Sequence, residues 1–159
     1  VARLSDSKYE AEEDPYLELE YAGYIPDEYI SLPTMKMEIY KKIASIMSQS
    51  DLENLYQELA DRFGPLPDEV QSLLALAEIR VICRRLSVSS LKERGGMVTV
   101  EFSKVAKVSV ERILRLIRES GGRIKLDPKR PNVLAIKTGT IGLREKSEFI
   151  RERLASLLT

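Results

Sequence analysis

The stretch Asp51-Leu52-Glu53-Asn54-Leu55-Tyr56-Gln57-Glu58-Leu59-Ala60-Asp61-Arg62-Phe63-Gly64-Pro65-Leu66-Pro67-Asp68-Glu69 decides how the chain is organised. Leu52, Leu55, Tyr56, Leu59, Ala60 and Phe63 recur at steps of 3, 4, 7, 8 and 11 from the first, the spacing of one buried face of an α-helix. Asp51 stands where an N-terminal cap is wanted, Gly64 is a natural stop, and Pro65 and Pro67 forbid continuation. Asp68 and Glu69 then suit the positive first turn of a further helix, which turns Val70, Leu73, Leu74, Ala77, Val81, Ile82 and Leu86 inward.

Toward the amino terminus, Ser31 and Pro33 open a preceding helix whose apolar stripe is Ile39, Tyr40, Ile43, Ile46 and Met47, closed by residues 48–50. Ahead of it, Ile25-Pro26-Asp27-Glu28-Tyr29-Ile30 reads as an ordered turn, bent by Pro and Asp and held by apolar side chains that seek burial. From Tyr16 the chain alternates, Leu17, Leu19 and Tyr21 against Glu18 and Glu20, which predicts a half-buried strand at a sheet edge. Residues 1–15, polar and without an initiator Met, read as a linker in a larger protein, and residues 16–159 as one domain.

Toward the carboxyl terminus the period changes from 3.6 to 2. The segment through Leu91, the Gly95-Gly96 pair and residues 97–102 predict a β-hairpin. Ser109 introduces a helix with Val110, Ile113, Leu114 and Ile117 inward, stopped by Gly121-Gly122. A second hairpin spans residues 123–137 around Asp127-Pro128, and a last helix runs from Leu143 to Leu158. The fold class is α+β: an N-terminal edge strand and a three-helix segment, then two β-hairpins with an intervening helix, and a C-terminal helix.

Composition removes several functions. The 159 residues carry 25 basic and 25 acidic side chains, so no net field draws the chain toward nucleic acid or anionic lipid. With no histidine, Ser-His-Asp and Cys-His catalysis are impossible within the chain and the commonest zinc ligand is missing. The glycine pairs lack the spacing of a phosphate-binding loop. Cys83, the single cysteine, lies in an apolar stretch and reads as a buried structural thiol, consistent with a reducing, cytoplasmic setting. No apolar run is long enough to span a bilayer. A non-catalytic chain without cofactor or metal is expected.

Two charged surfaces are candidates. Opposite the apolar stripe of the Asp51 helix gather Asn54, Glu58 and Asp61, where burial has no use for them and two carboxylates one turn apart suit arginine forks. Asp61, near the helix C-terminus, opposes the dipole and invites an external cation. The plainer alternative is a solvated face with an i,i+4 pair between Glu58 and Arg62, and spacing alone favours it. The second surface is Arg112, Arg115 and Arg118, with Lys125, Lys129 and Arg130 nearby. It is diluted by Glu111 and Glu119 and has no stacking aromatics, and it carries the rival reading of a nucleic-acid-binding accessory domain. Arg80, Arg84 and Arg85, like Lys41 and Lys42, read as solvent-facing.

The ordered series Ile25-Pro26-x-x-Tyr29-Ile30, Tyr40-Lys41-Lys42-Ile43 and Glu58-Leu59-Ala60-Asp61-Arg62-Phe63-Gly64-x-Leu66-Pro67 resembles the C-terminal domain of the bacterial transcription-repair coupling factor family. The similarity runs from about Tyr16 to the end. It implies a regulatory domain that packs on a UvrB-like module of the same full-length protein, covers the surface that recruits UvrA, and represses an ATP-driven DNA translocase until stalled RNA polymerase is engaged. It further implies that the acidic residues of this helix, here Glu58 and Asp61, face arginines of that module. Asn54 and Arg62 complete the expected interface, Arg62 by positioning the helix. No direct nucleic-acid or membrane partner is implied.

Overall fold

The computed structural model describes residues 14–20, 23–103, 108–139 and 143–158. The expected linker lies almost wholly outside them. In the described residues the α+β layout is present element by element. Strand β1 (Tyr16–Glu18) is followed by helices α1 (Pro33–Ala44), α2 (Gln49–Phe63) and α3 (Asp68–Arg85), then by strands β2 (Val88–Arg94) and β3 (Met97–Phe102). Helix α4 (Val110–Glu119), strands β4 (Ile124–Leu126) and β5 (Val133–Lys137) and helix α5 (Leu143–Ala155) complete the chain. The chain divides into two compact units, one of residues 21–81 with 142–151, the other of residues 1–20, 82–141 and 152–159.

The first unit is helical. Ile39, Ile43, Ile46, Leu52, Leu55, Leu59, Val70, Leu74 and Ala77 form its core, joined by Ile25 and Ile30 from the turn, with Tyr29 and Phe63 packed against it. That turn is ordered, as its sequence predicts: the amides of Tyr29 and Ile30 both donate to Pro26 O, and buried Ile25 donates its amide to Tyr40 Oη at 2.8 Å. Tyr40 and Met47, expected on the α1 stripe, are largely exposed, so the Tyr40 hydroxyl rather than its ring serves the core.

The cap of α2 differs from the sequence reading. Ser48 is the N-cap and accepts from the Asp51 amide at 3.1 Å, while the Asp51 carboxylate accepts from the Met47 amide at 3.0 Å. Serine three residues ahead of an acid thus caps the helix in the manner of a capping box, the acid reaching one residue further back to Met47, and the helix starts at Gln49. Likewise α1 ends at Ala44, several residues before the polar run that was expected to close it. Arg80 and Arg84 are not on a solvent face. Arg80 donates to the carbonyls of Ile43 and Ile46 at 2.9 and 3.1 Å, closing the end of α1, and Arg84 lies 3.4 Å from Asp14 with its side chain mostly covered.

The second unit is built on a five-stranded sheet in the order β1-β2-β3-β5-β4. Strand β1 lies at one edge, as its alternation predicts, but runs parallel to β2; every other pairing is antiparallel. Gly95 and Gly96, with φ of 56° and 78°, make the two-residue β2–β3 turn, a backbone that an L side chain resists at both positions. Val98, Val100 and Phe102 of β3 and Val133, Leu134 and Ile136 of β5 are buried. Helix α4 is rotated from its expected orientation. Ser109 caps it, but Leu116 is the residue it buries, whereas Val110 and Leu114 are exposed. Val110, Ile113, Leu114, Leu116 and Ile117 share one broad face of this helix, and packing buries its Leu116 edge rather than its Val110 and Leu114 edge.

Candidate functional site

The expected site lies on the outer face of α2, a helix held by Leu52, Leu55 and Leu59 beneath it. Its C-terminal end is fixed by Tyr29, whose hydroxyl donates to Gly64 O at 2.9 Å, with Leu59 O at 3.1 Å also in reach. The Tyr29 and Phe63 rings meet at 5.7 Å between centroids, and the Arg62 guanidinium carbon sits 4.9 Å from the Phe63 centroid. Burial raises the Tyr29 phenol above its ordinary pKa, with a smaller push from Tyr56.

On this scaffold the four expected residues part into two groups. Glu58 is engaged within the unit: Lys42 Nζ lies 2.7 and 3.0 Å from its two carboxylate oxygens, and Arg62 Nη1 2.7 Å from Oε2. Glu38 adds a second carboxylate 3.6 Å from both cations, making a balanced cluster of two acids and two bases. The Lys42 hydrogen bond, then that of Arg62, hold the Glu58 carboxyl below its ordinary pKa; the same contacts raise Lys42 and Arg62. Asp61 and Asn54 are exposed, and their side chains make no hydrogen bond or ion pair among the described residues. Beside them a shallow groove of about 360 Å³ opens between α1 and α2, lined by Lys41, Ser45, Asp51, Asn54 and Glu58 among others.

The sequence therefore located the face and foresaw the pairing of Glu58 with Arg62, but it missed Lys42 and Glu38. The i,i+4 spacing of Glu38 and Lys42 was visible; the bridge from α1 to α2 joins residues sixteen apart and needs the packing of both helices.

The basic surface is also divided. Arg112 is half-buried with its guanidinium 3.5 Å from Leu157 O, while Arg115 and Arg118 are exposed. Arg112 and Arg115 line a cavity of about 380 Å³ with Arg153, yet Glu119 and Glu152 share it, so its charge is mixed. Cys83 is buried, and desolvation pushes its thiol up to about 12. Among the described residues no group of acids and thiols is placed to hold a metal ion, and no helix is long and apolar enough to cross a membrane.

A three-helix unit with a charged helix face, and a second unit built on a five-stranded mixed sheet, define the chain as α+β. The family model of the TRCF domain matches residues 19–113, more than half of the chain, and the chain belongs to that family. The solved C-terminal domain of transcription-repair coupling factor is similar throughout, with a TM-score of 0.80 at 27% identity, covering 91% of this chain and 92% of that one. Among full-length relatives, the transcription-repair-coupling factor of Borreliella burgdorferi is 28% identical over 148 residues, 93% of this chain and 13% of that protein. That of Escherichia coli is 32% identical over 113 residues, 70% of this chain and 10% of that protein. The chain thus spans about an eighth or less of the length of these relatives.

Proposed function

We propose that residues 16–159 form a non-catalytic regulatory domain, joined through residues 1–15 to the rest of a transcription-repair coupling factor. It docks on the UvrB-like module of the same protein, masks the surface that recruits UvrA, and holds the translocase motor repressed until stalled RNA polymerase is engaged. The observation that supports this reading is Asp61: an exposed carboxylate without an ion-pair partner among the described residues, on a helix whose opposite face is buried, with the exposed amide of Asn54 on the same helix.

Glu58 acquires a different part in the latch from the one its position suggests. An arginine of the module gains Glu58 only by sharing it with Lys42 and Arg62, so the net gain is small, whereas Asp61 is met without competition. A latch of partly exposed charge pairs weakens with salt and opens readily. UvrA and the latch then compete for one surface, and the balance shifts by their difference in affinity.

The test is made in the full-length protein and with the separated parts. Asp61→Lys should reduce capture of this domain by the UvrB-like module and raise UvrA recruitment by the whole protein. An Asp61→Lys protein that is folded, yet recruits UvrA no better than wild type, refutes the proposal.

A further inference from the structure

Where the Tyr24–Ile30 turn meets the link between α2 and α3, a pocket of about 290 Å³ is lined by Tyr24, Pro26, Tyr29, Pro65 and Pro67 together with the acidic residues Glu28 and Glu69. We propose that this pocket takes one arginine or lysine side chain from a basic segment of a partner protein. The inference rests on the reading of this domain as a docking module and adds to it a second point of contact.

The chemistry of the lining selects the occupant. Aromatic faces attract a cation, and proline rings offer apolar surface for the alkyl stem that carries it. Glu28 and Glu69 make no ion pair among the described residues, so both remain available to the charged end. The start of α3 lies here too, but a helix N-terminus carries only about half a positive charge, against two full negative ones. An acidic segment would be repelled, and an apolar one would cover two carboxylates without pairing them.

The walls are also fixed before any partner arrives. Tyr24 is 55% exposed, yet its backbone is clamped on both sides. Gly23 abuts the backbone of α3 so closely that no side chain fits between them, and the buried Ile25 is tied through its amide to Tyr40 Oη. The Tyr29 ring is held by its bond to Gly64 O. An exposed Tyr24 on a fixed backbone and a half-buried Tyr29 ring already held in place lose little freedom on binding, which is how rigid anchors gain affinity. The bonds of Tyr29 to Leu59 and Gly64 also set the pocket at the C-terminal end of α2, the helix that bears Asp61.

The probe is the peptide acetyl-Gly-Arg-Gly-amide, titrated into the 159-residue chain while the tyrosine ring resonances are followed by NMR, with the citrulline peptide as the uncharged control. Saturable shifts at Tyr24 and Tyr29 with the arginine peptide alone are expected. Tyr24→Ala should weaken binding about two- to fivefold, the share of an exposed cation–π contact. Glu28→Gln with Glu69→Gln, which leaves both rings in place, should weaken it as well. Absence of saturation, equal shifts with citrulline, or binding indifferent to both variants overturns the proposal. Asp61→Asn should leave these shifts unchanged. Failure of the peptide titration is therefore separate from failure of the latch, which is read by UvrA recruitment.

Discussion

Replacing Gly23 by alanine should cost about 1.5–3.5 kcal/mol of stability, although the residue lies in no helix or strand and the change adds a single methyl group. A Cβ at this position would lie 2.2 Å from Glu69 O and 2.7 Å from Leu73 N, with Leu73 Cγ at 3.0 Å. The first two are backbone atoms four residues apart on α3, where an i to i+4 hydrogen bond runs, and neither can rotate away. Reaching ordinary van der Waals distance requires the segment and the helix to part by roughly 1 Å, an overpacking worth about 1–3 kcal/mol. Weakening the helical hydrogen bond adds about 1 kcal/mol. The gain from a stiffer unfolded chain returns roughly 0.5 kcal/mol. Urea denaturation followed by far-UV circular dichroism measures the sum, with the slope of the transition unchanged. Because Gly23 also clamps Tyr24, the variant should lose the arginine-peptide shifts at the Tyr24 pocket as well. A loss of stability below about 0.5 kcal/mol, the range of an indifferent surface change, would refute this account of the contact.

Two further outcomes follow from the titratable groups. The folded state lowers the Glu58 pKa, so the stabilisation is full above its ordinary value of 4.5 and is lost as pH falls through the lower folded value. Glu58→Gln should therefore be less stable than wild type at neutral pH, by less than about 1 kcal/mol because the Glu58 side chain is 31% exposed, and the gap should close in acid. Paired urea titrations at neutral and acidic pH check this; a gap that persists or widens in acid contradicts it. Cys83 should resist thiol reagents in the native state and react at the rate of unfolding, since burial both shields the sulfur and raises its pKa to about 12. Rapid labelling of the folded chain, followed by mass spectrometry, would contradict that burial.

A large part of this protein was legible along one dimension. The steps of 3, 4, 7 and 8 in α2, the Gly64 and proline stop, the alternation of β3 and the Gly95-Gly96 turn are local signals. Each is set by backbone geometry and by which side chains leave water, and together they determined the elements, their order and the α+β class. They also located the acid-bearing face of α2, since a helix buried at Leu52, Leu55 and Leu59 must turn Asn54, Glu58 and Asp61 away from its core. Only the tertiary structure decided what happens between elements. The parallel seat of β1 beside β2, the rotation of α4 onto Leu116, and the use of Arg80 to close α1 all depend on how one surface meets another. The same holds for the partition of the candidate site, where Lys42 on the neighbouring helix engages Glu58 and leaves Asp61 exposed. Periodicity fixes which residues share a face, but the angle and register at which two faces pack fix which charges come within reach of one another.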